Sequence, residues 1–194
     1  MYKIGVFVAA VFLGQGCVRG EVQVGKPAPN FNVTDIHHKT HQLADYKGKI
    51  VVVENYNLDC PFVVNHYRTG AMQKLQTEAA GQGVVWLVVN SSYADSARLA
   101  KEAQSQKIQA ATVVHDPAGQ IGKTYGFKTT PHLLIIDKSG ALVYNGAIDD
   151  QADPDHDPLK ARNYVREGLQ QLKAGQSPSV AQTKPYGCGA KYAK

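Results

Sequence analysis

Apolar positions along the chain fall into two kinds of run, and their alternation sets the expected fold. Ile50 to Tyr56 opens on an unbroken β-branched stretch, and Val84 to Asn90 is again continuously apolar, as strands buried on both faces are. Between them Pro61 stands where its fixed φ and missing N–H suit a first helical turn. Phe62, Val63, Met72 and Leu75 then predict one helix that ends near Gly81 or Gly83. Ser92 to Gln106 reads as a second amphipathic helix through Ala97, Leu99, Ala100 and Ala103. Further strands are expected at Phe31 to Ile36, Thr112 to His115, His132 to Asp137 and, after a Ser139-Gly140 turn, Leu142 to Gly146. Gly119 to Tyr125 predicts a short helix and Pro158 to about Ala174 a final one, followed by an irregular Ser-, Pro-, Gln- and Lys-rich tail. Strand and helix in alternation predict a parallel sheet with crossover helices, an α/β fold.

Composition narrows the class. A chain of 194 residues, 43% hydrophobic and 19% charged, fits one globular domain with a full core. The net charge of +5 includes Lys3, Arg19, Lys184, Lys191 and Lys194 near the two ends, so little is left for a basic patch and no nucleic-acid partner is expected. Lys3, the apolar run Ile4 to Leu13 and the small-residue stretch Gly14 to Gly20 have the layout of a secretory signal. Cleavage is expected after Gly20, with Gly16 as the competing site, so the chain divides into a signal over 1–20, a domain over 21–176 and a tail over 177–194. This predicts a secreted or periplasmic protein. Cys17 after the apolar run also resembles a lipoprotein site, with Leu13 one position too far away, so a lipid anchor there stays open. Cleavage after Gly20 leaves two cysteines, Cys60 and Cys188.

Cys60 is the candidate for chemistry. It follows a buried strand and precedes a helix begun by Pro61, whose free N–H groups and positive end favour a thiolate. Asp59 opposes this with a like charge. Two other clusters carry less. His37, His38 and His41 could hold zinc or copper, but they sit on an expected hairpin loop with only Asp35 as a nearby carboxylate. Asp149, Asp150, Asp153, Asp155, His156 and Asp157 lack calcium-loop spacing and read as a solvated loop. Neither predicts a metal site, and Trp86 with its apolar neighbours reads as core.

Several blocks together resemble a known group. Val24-Gly25-Lys26-Pro27-Ala28-Pro29-Asn30-Phe31, Asp45-Tyr46-Lys47-Gly48-Lys49, Cys60-Pro61, Gly126 to Pro131 and Leu134-Ile135-Ile136-Asp137 are similar to the thioredoxin-like peroxiredoxin and thiol-specific antioxidant superfamily. Asn90-Ser91-Ser92, Tyr144 to Asp150 and Gly187-Cys188 resemble its peroxiredoxin-like redoxin branch. The resemblance implies a thioredoxin-like fold, with a central mixed β-sheet flanked by helices. It also implies that Thr130-Pro131 is the cis-proline element that packs on the reactive cysteine and pairs with an incoming peptide.

The departures matter as much. A Cys-x-x-Cys motif laid on Cys60 puts Val63 at the second cysteine, so a local dithiol is absent. Where peroxiredoxins carry a Thr three residues before the cysteine and a Pro seven before, this chain has Asn57 and Val53, and Pro131 stands where their activating Arg is expected. Lowering a thiol pKa from about 8.5 to about 6.5 raises the thiolate fraction about 24-fold at pH 7. The loss of nucleophilicity takes back about 10-fold. Fast peroxide reduction therefore needs groups that polarise the O–O bond, and only Asn57 is a candidate here.

The expected function is exported thiol chemistry: Cys60 attacks a disulfide or a peroxide, and Cys188 resolves the product. Pro61, Asn57, Thr130 and Pro131 would line the substrate site. Protein thiols, disulfides or a hydroperoxide would be the partners, with a separate reductant and no cofactor. A permanent Cys60–Cys188 disulfide in a binding module, or a metal carrier using the histidines with Cys60, are the alternatives.

Overall fold

The computed structural model describes residues 22–92 and 95–192. The expected signal, its cleavage site and Cys17 lie outside these residues. Nine strands and five α-helices follow in the order β1 (Asn32–Thr34), β2 (Thr40–Gln42), β3 (Val51–Asn55), α1 (Pro61–Arg68), α2 (Ala71–Ala80), β4 (Val85–Asn90), α3 (Ser96–Ser105), β5 (Thr112–His115), α4 (Gln120–Tyr125), β6 (Thr129–Thr130), β7 (His132–Ile136), β8 (Leu142–Gly146), α5 (Tyr164–Lys173) and β9 (Cys188–Gly189). The central sheet has the order β5-β4-β3-β7-β8. β3, β4 and β5 run parallel, whereas β7 is antiparallel to β3 and β8 antiparallel to β7. The result is the thioredoxin-like mixed sheet that the motifs imply.

Strand alternation divides the core in two. Val52, Trp86, Val88, Leu133 and Ile135 face one side, where α1, α2, α3 and α5 contribute Val63, Tyr67, Met72, Leu75, Leu99, Val165 and Leu169. Their neighbours Val51, Val53, Val85, Leu87, Leu134 and Ile136 face the other, against Phe31 just before β1, Val33 of β1 and Ile121 and Tyr125 of α4. No helix among the described residues is long and apolar enough to cross a membrane.

Four expected boundaries move. The single helix expected from Pro61 to Gly81 or Gly83 is two, because Gly70 takes a φ of +76° and the Thr69 hydroxyl bonds back to the Asn65 carbonyl at 2.8 Å. α3 begins at Ser96 rather than Ser92: Asp95 caps it by accepting from the Arg98 N–H, while Ser92 turns back to Asn90. α5 begins at Tyr164 rather than Pro158, capped by the Asn163 side chain. The tail, expected to be irregular, is docked at several points between residues 181 and 192. Residues 181–183 run beside β8, with the Asn145 N–H donating to Ala181 O and the Thr183 N–H to Asn145 O. β9 then pairs antiparallel with β6, and the Tyr192 hydroxyl donates to Phe127 O.

Candidate active site

Local backbone geometry places Cys60 at the mouth of α1. The Asn57 side-chain oxygen accepts from the Asp59 N–H, and its carbonyl accepts from the Cys60 N–H, so Asn57 builds the turn between β3 and the helix. Cys60 occupies the N-cap with Pro61 directly after it, and its side chain is fully buried. Asp59, the like charge that argued against a thiolate, is engaged by Arg98 at 2.6 Å on the surface.

Across from the helix mouth stands Thr130-Pro131, whose peptide bond is cis. The Cys60 thiol donates to the Thr130 carbonyl at 2.8 Å, and the Asn55 amide holds β6 in place through the Thr129 carbonyl at 2.6 Å. Cys188 lies opposite Thr130 in the β6–β9 register, which sets its thiol beside that of Cys60 so that each shifts the other's titration. Of the six site residues expected from sequence, Cys60, Thr130, Pro131 and Cys188 are brought together by the thiol–carbonyl bond and the β6–β9 register, Asn57 holds the Cys60 N–H through its backbone carbonyl, and Pro61 lies exposed after Cys60. Both cysteines are free thiols. β9 fills the position that the resemblance assigns to an incoming peptide strand.

The two sulfurs are electrostatically unlike. Burial pushes the Cys60 thiol up, but the Cys188 thiol, the Thr130 side chain and the N–H groups of Val63 and Cys188 outweigh it, holding Cys60 below the ordinary thiol value. The Thr130 carbonyl works against this, since it accepts from the protonated form. Burial pushes the Cys188 thiol up, and the neighbouring Cys60 sulfur raises it further. Cys60 is the better thiolate of the pair.

Sequence reasoning missed two buried groups near the same helix. Glu54 of β3 is fully buried and accepts from Tyr67 at 2.9 Å, Trp86 at 2.8 Å and Gln76 at 3.2 Å; burial outweighs these bonds and raises its carboxyl to about 7. A charge inside a strand otherwise apolar was the available signal. His66 of α1 bonds to Asp149, and Asp149 is 1% exposed, which corrects the solvated reading of the acidic loop for this residue. Asp150, Asp153, Asp155 and Asp157 are exposed as expected. In the other cluster His41 is buried between Asp35 at 2.8 Å and Tyr46 at 2.7 Å, while His37 and His38 point to solvent.

Comparison with known proteins agrees with this geometry. Residues 24–145 match the AhpC/TSA family. The chain is 31% identical over 123 residues to the thiol-disulfide oxidoreductase ResA of Bacillus thuringiensis, spanning 63% of this chain and 69% of that protein. It is 30% identical over 139 residues to peroxiredoxin-1 of Gallus gallus, spanning 63% and 68%. Among solved structures, a hypothetical protein from Sinorhizobium meliloti shares the fold with a TM-score of 0.78 at 23% identity, over 90% of this chain and 97% of that one.

Proposed function

Because this chain belongs to the AhpC/TSA family, we propose that it is a thiol-based oxidoreductase in which Cys60 attacks and Cys188 resolves within the same chain. The observation that carries the reading is the pairing of β9 with β6, which sets the second thiol against the first although the local Cys-x-x-Cys partner is replaced by Val63. With a disulfide substrate, the Cys60 thiolate attacks one sulfur, the substrate S–S bond breaks, and the departing thiolate takes a proton. Cys188 then gives up its proton and attacks Cys60 Sγ, which releases the second substrate thiol and leaves a Cys60–Cys188 disulfide. With a hydroperoxide, Cys60 takes the distal oxygen as a sulfenic acid and the alcohol leaves, after which Cys188 expels water to give the same disulfide. A separate dithiol returns the protein to its reduced form. Pro131 and Asn57 shape the site around the sulfur, and the N–H of Val63 stabilises the thiolate.

Residues 1–20, with Lys3 before the Ile4 to Leu13 run, support an export signal and hence a secreted or periplasmic setting, in which both cysteines meet oxidants. The deciding experiment is thiol counting and intact mass on the reduced protein before and after one equivalent of hydrogen peroxide, beside Cys60→Ser and Cys188→Ser. Two thiols should disappear together, and sulfenic acid should be trapped on Cys60 only when Cys188 is absent. A Cys60–Cys188 disulfide that mild thiols leave intact, or oxidation that proceeds equally in Cys60→Ser, would defeat the proposal.

A further inference from the structure

Behind the helix that carries Cys60, three side chains from distant parts of the chain converge. Both His66 Nε2, from α1, and His156 Nε2, from the acidic loop, point at the same oxygen of Asp149, at 3.0 and 3.1 Å. The three side chains are nearly sealed from solvent, with exposures of 1%, 7% and 0% for His66, His156 and Asp149. Among the described residues this is the one group of three or more His, Cys, Asp or Glu side chains whose ligand atoms all lie within 4.8 Å of one another.

The other ring nitrogens decide how the cluster reads. His66 Nδ1 faces the Phe62 carbonyl at 2.8 Å, and His156 Nδ1 faces the Asp153 carbonyl. A carbonyl oxygen only accepts, so each Nδ1 carries the hydrogen. In a neutral imidazole that leaves a bare lone pair on each Nε2, and both lone pairs point at a carboxylate oxygen that offers lone pairs of its own. Hydrogen bonds alone satisfy this arrangement only if extra protons are brought into a buried site, and a cation between the three atoms satisfies it directly. Ring N–H groups donating to backbone carbonyls are also the outer contacts that orient metal-ligating histidines.

We propose that His66, Asp149 and His156 bind one divalent transition-metal ion of the zinc class, and that this ion fastens the C-terminal tail over Cys60. Two imidazoles and one carboxylate are a borderline-soft donor set of the kind zinc takes, with a fourth position left for water. Tetrahedral ligands at about 2.0–2.2 Å from zinc stand about 3.3–3.6 Å apart, so the two imidazole–carboxylate spacings of 3.0 and 3.1 Å need widen by only a few tenths of an ångström, and the two imidazole nitrogens lie within 4.8 Å of each other. The second oxygen of Asp149 accepts from the Tyr186 hydroxyl, and the Tyr186 ring packs on Phe62 with centroids 5.6 Å apart. Tyr186 lies two residues before Cys188, so one carboxylate joins the ion to the tail.

The test is titration of the chelator-stripped full chain with Zn²⁺ against a chromophoric competitor, and with Co²⁺ for its visible ligand-field bands. One equivalent should bind. His156→Gln, at the partly exposed edge where folding is least at risk, should weaken binding by more than the about 10–100-fold typical of losing an outer contact, and Asp149→Asn should do the same. His38→Gln and a Cys60→Ser/Cys188→Ser double variant should keep full affinity, with circular dichroism confirming the fold of each. Absence of binding to the wild type, unchanged affinity in folded His156→Gln, or loss of the ion in the double cysteine variant would overturn the site. The thiol chemistry is read separately by peroxide titration, so failure of one reading leaves the other standing.

Discussion

Gly187→Ala tests whether β9 docking positions the second thiol. Gly187 has φ +119°, a conformation that residues with a Cβ adopt at a cost of about 1–3 kcal/mol. An added Cβ would also collide with the Thr130 carbonyl oxygen and lie 2.9 Å from its carbon. Opposing this are the few backbone hydrogen bonds of the β6–β9 pairing and the Ala190 N–H to Lys128 O bond at 3.0 Å, each contributing about 0.5–1.5 kcal/mol. The strain therefore matches most of what holds the strand, and β9 should lift between its anchors at Tyr186 and Tyr192. At about 1.4 kcal/mol per tenfold, the docked fraction relative to the undocked falls about 10–100-fold. With docking worth about 2 kcal/mol the docked fraction falls from about 0.97 to between about 0.75 and 0.2, so rapid mixing with peroxide followed by acid quench and mass analysis should show Cys60–Cys188 disulfide formation slowed by up to about 4-fold, with more trapped Cys60 sulfenic acid than in wild type. Gly189→Ala is the control: its added Cβ meets nothing within 4 Å, and its rate should match wild type. Wild-type resolution in a folded Gly187→Ala protein would refute the claim that pairing with Thr130 sets the rate.

Three further expectations rest on individual titrating groups. Glu54, raised from 4.5 to about 7 chiefly by burial, binds its proton more tightly when folded; its contribution of about 3 kcal/mol is present below pH 4.5 and lost as pH rises through 7. Urea denaturation across this pH range reads the loss of that contribution in Glu54→Gln, and a stability–pH profile identical to wild type would refute it. His132, lowered from 6.5 to about 4 by burial with its ring held between the Lys128 N–H and Asn145, contributes in the opposite sense, losing about 3 kcal/mol as pH falls from 6.5 through 4. The two nearly cancel between pH 4.5 and 6.5, so His132→Gln should unmask a fall in stability with rising pH, and Glu54→Gln a rise over the same range. Cys188→Ala removes the neighbouring thiol that favours the Cys60 thiolate, so the pH midpoint for Cys60 alkylation should move up; an unchanged or lower midpoint would mean that the α1 N–H groups alone set it.

Legibility followed the range of the interactions. β3, β4 and β7 were readable because continuous apolar runs are what double-faced burial requires, and the Cys60-Pro61 corner because a helix start has local chemistry. The break at Gly70 and the late start of α5 were also local, written in Thr69-Gly70 and Asn163, but the apolar periodicity ran over both. What could not be read was the approach of distant segments. Pro185 to Gly189 looks like a loop in isolation, and β9 exists only because β6 offers an open edge. Asp149 sits among exposed acids in sequence yet is buried by His66, 83 residues away. No local pattern announces either.

The docked tail bears on which oxidant the protein meets first. β9 occupies the edge of β6 where a peptide strand would pair, and Cys60 is fully buried beneath it. A protein disulfide must therefore displace the tail, and its apparent Kd is its intrinsic Kd divided by the undocked fraction. A docking free energy of about 2 kcal/mol makes that a penalty of about 30-fold. A small hydroperoxide needs only a momentary opening, and once Cys60 is oxidised the same docking speeds resolution. Tail docking thus favours small oxidants and disfavours protein disulfides by one and the same energy. Gly187→Ala should accordingly shift the two reactions in opposite directions, slowing disulfide closure after peroxide and speeding exchange with an unfolded protein disulfide. A variant that slowed both would show that β9 contributes to substrate binding rather than competing with it.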